Sequence, residues 1–352
     1  MTSSFTATSA RYFYGGKYNT VPEAENVYAD GEVVALTAGD FALGSFDADP
    51  GMRLWDTVQN QTAYDALIDA DTIPAGGVNP WQANGTISGK INNVKLDTDA
   101  GKARYTGDTK RYSVVSGTGN AGFLSEPTAM QEGHTFPGGV YLSWFLRLEA
   151  AIGGGQSTKI ARFWGESAGS PNERYMSWTN DKLDALSGYG LTGFVPDATI
   201  WGNEVGTEWN FVTDAWARYE VWIDRRTAAA LVERAYIDNE IIAQLTQTSI
   251  TADSTAMTKA PWLETLGWDT GGGTPTFNAW SMKDIYISSY ANRFELANSA
   301  TWASRTHSEV QPITTFPSAQ MFYGGHAATG PLYLHYIDVD NNSVGTPIQV
   351  RI

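Results

Sequence analysis

Glu220 and Asp224, in Glu220-Val-Trp-Ile-Asp224, are the first pair of acids whose spacing could do chemistry. In a strand, positions i and i+4 share a face. A rise of about 3.3 Å per residue puts them roughly 13 Å apart. Paired-carboxylate glycoside hydrolysis works at about 5 to 10 Å, so this pair does not supply it. Asp238-Asn-Glu240 is closer in spacing but reads as a turn. The four histidines, His134, His307, His326 and His335, fall outside the strongest strand patterns. With no cysteine in the chain, thiolate nucleophiles and disulfides are excluded, and a Ser–His–Asp triad has no support.

Sugar recognition asks for different residue types: aromatic rings to stack on, and Arg or acid groups to bond hydroxyls. Arg147, Arg162, Trp164, Tyr175, Arg218, Glu220 and Trp222 supply that mixture on neighbouring strand candidates, and they are the expected glycan-binding residues. Their common face depends on register, because a one-residue slip inverts it. Asp338-Val-Asp340-Asn341-Asn342 resembles the first half of a calcium loop but lacks its Gly and its closing Glu, and fits a hairpin turn better. Asp47-Ala-Asp49 and Asp97-Thr-Asp99 are similar acidic turns. No metal ion and no other cofactor is expected from them. Gly271-Gly272-Gly273 runs into Thr-Pro-Thr-Phe, which makes a loop and not a phosphate cradle.

The elements that would position these groups read as strands. Val140, Leu142, Trp144, Leu146 and Leu148 alternate with Tyr141, Ser143, Phe145, Arg147 and Glu149. Lys159 to Trp164, Arg174 to Trp178 and Phe277 to Ile287 continue the pattern. In the stretch from Trp216 to Gln244, Tyr219, Val221 and Ile223 face away from Arg218, Glu220 and Trp222. Its middle, AAALVERA, would pass for a helix, but eight residues make a marginal one. A hairpin with a second tight turn at Asp238-Asn239 is preferred. Short strands at Val33 to Leu36 and Met52 to Trp55, and a short helix at Tyr64 to Ile68, are expected earlier in the chain. Turn signals separate the strands and no long helical pattern intervenes, which argues for an antiparallel sandwich.

Composition sets the outer bounds. The chain has 352 residues, enough for one large β domain and smaller ones. Its formal charge of −15 repels nucleic acid and anionic membranes, so neither is an expected partner. No basic, apolar leader opens the chain, and no apolar run approaches the roughly 20 residues of a membrane span.

The strands YLSWFLRLE, KIARFW, WARYEVWID, AYIDNEIIA and FNAWSMKDIYIS together resemble the concanavalin A-like lectin/glucanase (laminin-G-like) sandwich. The tail, with ANRFELANSATWASRTHSEVQ and YLHYIDVDNNSVGTPIQV, resembles a short immunoglobulin-like appendage of the kind found beside this sandwich in phage and environmental bacterial proteins. The resemblance implies an all-β fold: an antiparallel jelly-roll β-sandwich over residues 91–290, an irregular β-rich N-terminal attachment segment over 1–90, and a small C-terminal β-sandwich over 291–352. That fold hosts both binding modules and enzymes, so it does not decide function. Glycosidases of the family would be expected to carry Glu-x-Asp-x-Glu, and its lyases a Gln-x-His strand with an Arg-Glu-x-Arg-like strand. None of these patterns occurs here.

The expectation is therefore a non-enzymatic virion structural protein: a capsid decoration, head fibre or tail component. It would be a homo-oligomer in contact with other virion proteins, with a lectin-like sandwich able to bind host-surface glycans. Two alternatives stand beside it: a polysaccharide depolymerase (glycosidase or lyase) with a non-standard site, and a leaderless bacterial adhesin or lectin.

Overall fold

A computed structural model describes residues 13–14, 17–18, 28–47, 49, 51, 53–62, 65, 94–114, 117–118, 123–124, 139–149, 156–163, 173–179, 182–189, 212–227, 230–247, 262–269, 276–277 and 280–351. The chain is all-β and its strands pair antiparallel. It forms two compact units, one of residues 50–291 and one joining residues 1–49 to 292–352.

The larger unit holds two main sheets. In the eight-stranded sheet the order is Glu240–Gln247, Ala230–Ile237, Trp216–Thr227, Gly139–Leu148, Trp280–Ser288, Arg111–Val114 and Val94–Asp97. Arg53–Asp56 also pairs with Trp280–Ser288. The second sheet runs Lys182–Tyr189, Glu173–Thr179, Gln156–Phe163, Trp262–Asp269 and Phe123–Leu124. This is the β-sandwich architecture expected from the strand pattern.

The ambiguous stretch is resolved as strands. Ala230–Ile237 pairs with Trp216–Thr227 on one side and Glu240–Gln247 on the other, which gives AAALVERA hydrogen-bond partners along both edges. Asp238 and Asn239 make the two-residue turn between Ile237 and Glu240, with φ of +46° and +72°. Asp and Asn are the non-glycine residues that best tolerate this left-handed region. Asp238 also ties the turn to the neighbouring strand: its N–H donates to Arg218 O at 2.9 Å, and its carboxylate accepts from Arg218 N–H at 2.8 Å.

The expected alternation holds in the central strands. Val140, Leu142 and Trp144 lie opposite Ile223, Val221 and Tyr219, so these side chains share one buried apolar face. Trp144 and Tyr219 stack at 5.4 Å. Met282 and Ile287 extend that face on the next strand. At the strand start, Gly139 has φ of +110°, and a Cβ there would lie 1.8 Å from Ile223 O. Only glycine fits this close approach.

The smaller unit corrects the expected boundaries. Val33–Ala35 is not part of a separate segment; it pairs with Ser318–Gln320 and completes a three-stranded sheet with Ile313–Thr315. A four-stranded sheet of Ser308–Gln311, Arg293–Ala297, Leu332–Ile337 and Ser343–Arg351 covers the same core. Val34, Leu36 and Phe41 are buried there with Phe294, Leu296, Leu334 and Tyr336. The C-terminal strands alone leave apolar surface that the N-terminal residues cover, and that is the physical reason for the shared unit. The short helix expected at 64–68 lies outside the described residues, apart from Asp65.

Candidate functional site

The polar face of the eight-stranded sheet assembles residues that are far apart in sequence. Directly opposite residues share a face, so the pairing register can be read across strands. One row runs Tyr236, Glu220, Ser143, Tyr286, Trp55. The next runs Arg234, Trp222, Tyr141, Ser288, Arg53. Phe145 and Arg218 face each other one step further along, and Arg147 and Trp216 one step beyond.

At the centre, the Tyr141 hydroxyl donates to Glu220 Oε1 at 2.5 Å. Arg218 Nη2 donates to the Tyr141 oxygen at 3.0 Å and to Glu220 Oε1 at 3.1 Å. Arg218 Nε donates to Ser143 Oγ at 2.9 Å. Tyr141 and Tyr286 place their rings 6.1 Å apart. Tyr141 is 0% exposed, Arg218 2% and Glu220 3%. The cluster therefore sits at low effective dielectric, where charge-assisted hydrogen bonds are strong.

A bulge sets which residues join this face. Between Lys283, opposite Phe145, and Tyr286, opposite Ser143, one strand has two residues where its partner has one. Asp284 takes φ of +51° at that point. Without the extra residue, Ile285 would stand opposite Ser143, and Tyr286 would turn to the apolar face.

Of the seven expected glycan-binding residues, Arg147, Arg218, Glu220 and Trp222 lie on this face. Arg162 and Tyr175 are paired with each other in the five-stranded sheet, so the seven do not form one patch. Trp164 lies outside the described residues. Trp222 is 1% exposed, so it is not a free stacking surface. Arg147 is half-buried and bonds Glu149 at 3.3 Å and Asp214 at 2.9 Å.

Sequence reasoning singled out Arg218 and Glu220 but passed over Tyr141, Ser143, Tyr286 and Ser288. The alternation of the Gly139–Leu148 strand already put Tyr141 and Ser143 beside Arg147. Tyr286 and Ser288 are displaced by the bulge, which alternation does not reveal.

The acidic turns serve the backbone. Asp338 Oδ1 accepts from the N–H of Asp340 and Asn342, as a hairpin turn requires. Asp97 Oδ1 accepts from Asp99 N–H and from Arg111. Asp47 Oδ2 accepts from Tyr336 and from Val339 N–H. No group of three or more His, Asp or Glu able to hold a metal ion occurs among the described residues. His134 lies outside the described residues, and the other three histidines are in the smaller unit. His307 Nε2 is 2.8 Å from Glu309, and its ring meets that of His326 edge-on at 4.6 Å. Burial, then the neighbouring His307, pushes His326 down to about 4. Burial also lowers His335, whose ring nitrogens contact Ser343 Oγ and Ser299 O.

No family model matches the chain, and no curated protein matches it. Solved structures do. The chain is similar to a marine alginate lyase from Aplysia kurodai at 11% identity and TM-score 0.40, over 55% of this chain and 86% of that one. It is similar to an endo-β-1,4-glucuronan lyase from Trichoderma reesei at 13% identity and TM-score 0.39, over 60% and 93%. A β-glucanase catalytic domain from Podospora anserina gives 12% identity and TM-score 0.35, over 66% and 90%. At these identities the likeness concerns the fold alone. The named structures are polysaccharide lyases and a glucanase, which stand with the depolymerase alternative and not with the expected non-enzymatic virion structural protein. The expectation failed because it rested on missing linear motifs. A sheet face draws its residues from separate strands, which no short motif records. The β-sandwich assignment itself rests on the chain's own antiparallel sheets.

Proposed function

We propose that the larger unit is a polysaccharide depolymerase that cleaves a uronate-bearing glycan by β-elimination on its polar sheet face. The observation that carries this is the Tyr141 hydroxyl held between the Glu220 carboxylate and the Arg218 guanidinium. Elimination needs a group that takes the proton on the sugar carbon next to the carboxyl and returns one to the departing glycosidic oxygen. A tyrosine that can pass its own proton to Glu220 as its oxygen accepts the sugar proton does the first step. Arg218 stabilises the charge that develops on that oxygen. The carbon–oxygen bond then breaks as the carbon–carbon double bond forms; the tyrosine protonates the leaving oxygen and takes its own proton back from Glu220.

Two further features support elimination on an acidic glycan. Arg234 and Arg53 stand in the row of Tyr141, each two strands away, or about 10 Å to either side. Guanidinium groups so placed suit the carboxylates of successive uronates. Hydrolysis by paired carboxylates is less well served, because Asp224, the next acid along the face of Glu220, is roughly 13 Å away. Trp222 and the half-buried Tyr236 and Trp55 would offer rings for stacking. The centre of the face, at Tyr141, Arg218, Glu220 and Trp222, is buried, so a sugar reaches Tyr141 only when that centre opens.

In this reading the enzyme would be a homo-oligomer carried on a phage-like particle, one of the settings in which such a tail is found, and co-purification with intact particles tests that location. Incubation with a panel of uronate and neutral polysaccharides tests the reaction. Unsaturated products from a uronate polymer support it. Saturated reducing ends from a neutral glucan would replace elimination with hydrolysis.

A further inference from the structure

A second buried group lies on the same sheet, at the bulge. Lys283 is fully buried, with its ammonium enclosed by oxygen. It donates to Lys110 O at 2.7 Å, Gln59 Oε1 at 3.0 Å and Thr57 O at 3.1 Å, and it ion-pairs with Asp108 Oδ1 at 2.9 Å. An ammonium has three protons, and three neutral acceptors take them. The carboxylate is its counter-ion.

Burial lowers the basicity of Lys283, and a lysine so perturbed beside a candidate site invites assignment as a catalytic base. The geometry argues against that, because the ammonium is already taken up by Thr57 O, Gln59 Oε1, Lys110 O and Asp108. The surroundings have the make-up of a cation site instead: two main-chain carbonyls, a side-chain carbonyl and one carboxylate, all hard oxygen ligands. The linked ion pairs balance, with Lys283, Arg104, Arg111, Lys102 and Arg147 set against Asp97, Asp108, Asp284, Glu149 and Asp214. Removing Lys283 leaves a single negative charge in excess. A monovalent ion would restore neutrality, whereas a divalent ion would overshoot beside Arg104 and Arg111.

We infer that Thr57 O, Gln59, Asp108 and Lys110 O form a monovalent-cation site that the chain fills with its own Lys283 ammonium. The tethered cation draws the segments carrying Thr57, Gln59, Asp108 and Lys110 onto Trp280–Ser288, directly before the bulge. The adjacent Asp284 is held there by Arg104 at 2.6 Å. The bulge that turns Tyr286 and Ser288 to the polar face is thereby fixed on both of its first residues.

The test is chemical replacement of the side chain. Lys283→Ala opens the site, and its thermal stability is measured in ammonium, potassium and choline chloride at equal ionic strength. The expected result is a lower Tm than the parent in choline, with at least half the loss recovered in ammonium or potassium and no such response in the parent. Lys283→Met, whose side chain keeps the cavity filled, is expected to lose stability without recovery. Equal Tm values for Lys283→Ala in all three salts would overturn the site. If that variant is unfolded in choline, refolding from denaturant decides: folding in ammonium supports the site, and folding in none of the salts overturns it. The readout is stability, so it stands or fails separately from the proposed depolymerase activity.

Discussion

Arg218 Nη2 and Glu220 Oε1 meet at 3.1 Å on one strand face, with both side chains buried. Each is the other's compensation for leaving water. Removing one member of such a pair strands a buried charge and typically costs about 3 to 5 kcal/mol, whereas replacing both with apolar groups costs far less. Glu220→Ala is expected to lose about that much in urea denaturation, and Arg218→Met with Glu220→Leu less than the sum of the single changes. A loss below about 1 kcal/mol for Glu220→Ala would mean that the pair is solvated.

Gly139 anchors the start of the central strand. Its positive φ and the close approach of Ile223 O leave no room for a Cβ. Gly139→Ala is expected to cost several kcal/mol, of the size seen for strain and overpacking combined. Equilibrium unfolding measures it. A neutral substitution would show that the Gly139–Asp224 register is wrong.

Phe41 tests the shared smaller unit. It is fully buried and stacks on Phe294 at 5.8 Å, although the two are far apart in sequence. Phe41→Ala is expected to cost about 3 to 5 kcal/mol. A fragment of residues 291–352 should lack dispersed amide signals in NMR spectra, and adding residues 28–49 to it should restore them. A folded 291–352 fragment would return that region to independence.

Much of the large sheet was legible in the sequence. The alternation of Tyr219, Val221 and Ile223 against Arg218, Glu220 and Trp222 is the observed one, and Asp238-Asn239 is the observed turn. That much follows from local chemistry: side-chain period and left-handed tolerance. What stayed hidden is non-local. Nothing near Val33 marks Ser318–Gln320 as its partner, and nothing near Arg162 assigns its strand to the other sheet. The bulge at Asp284 leaves only a faint trace, a Lys-Asp pair in the middle of an apolar strand. Tyr141 was visible as a position, but its role came from Arg218 and Glu220 on the strand beside it.

The histidines of the smaller unit give a pH dependence. His326 is lowered to about 4 from an ordinary 6.5, so the folded state holds it neutral while the unfolded chain protonates it first. Below pH 6.5 the unfolded state binds more protons, and stability falls with pH until about pH 4. The full span corresponds to about 3.5 kcal/mol at most, since one pH unit is worth about 1.4 kcal/mol. His335 is lowered by burial and adds in the same direction. Thermal denaturation between pH 8 and pH 4 should show this loss, reduced in His326→Gln. A flat profile would show that His326 is solvated.

The central claim is that Tyr141 moves the proton in an elimination. Tyr141→Phe removes one oxygen from a buried ring and leaves Arg218 and Glu220 paired. The direct measurement is the ultraviolet absorbance of unsaturated product released from uronate polysaccharides by the parent and by this variant, with both shown to be folded. The expected result is product from the parent and a loss of at least 100-fold in kcat for Tyr141→Phe, on the scale of general acid–base catalysis. Equal rates from the two proteins, or no product from the parent on any uronate polymer, would contradict it.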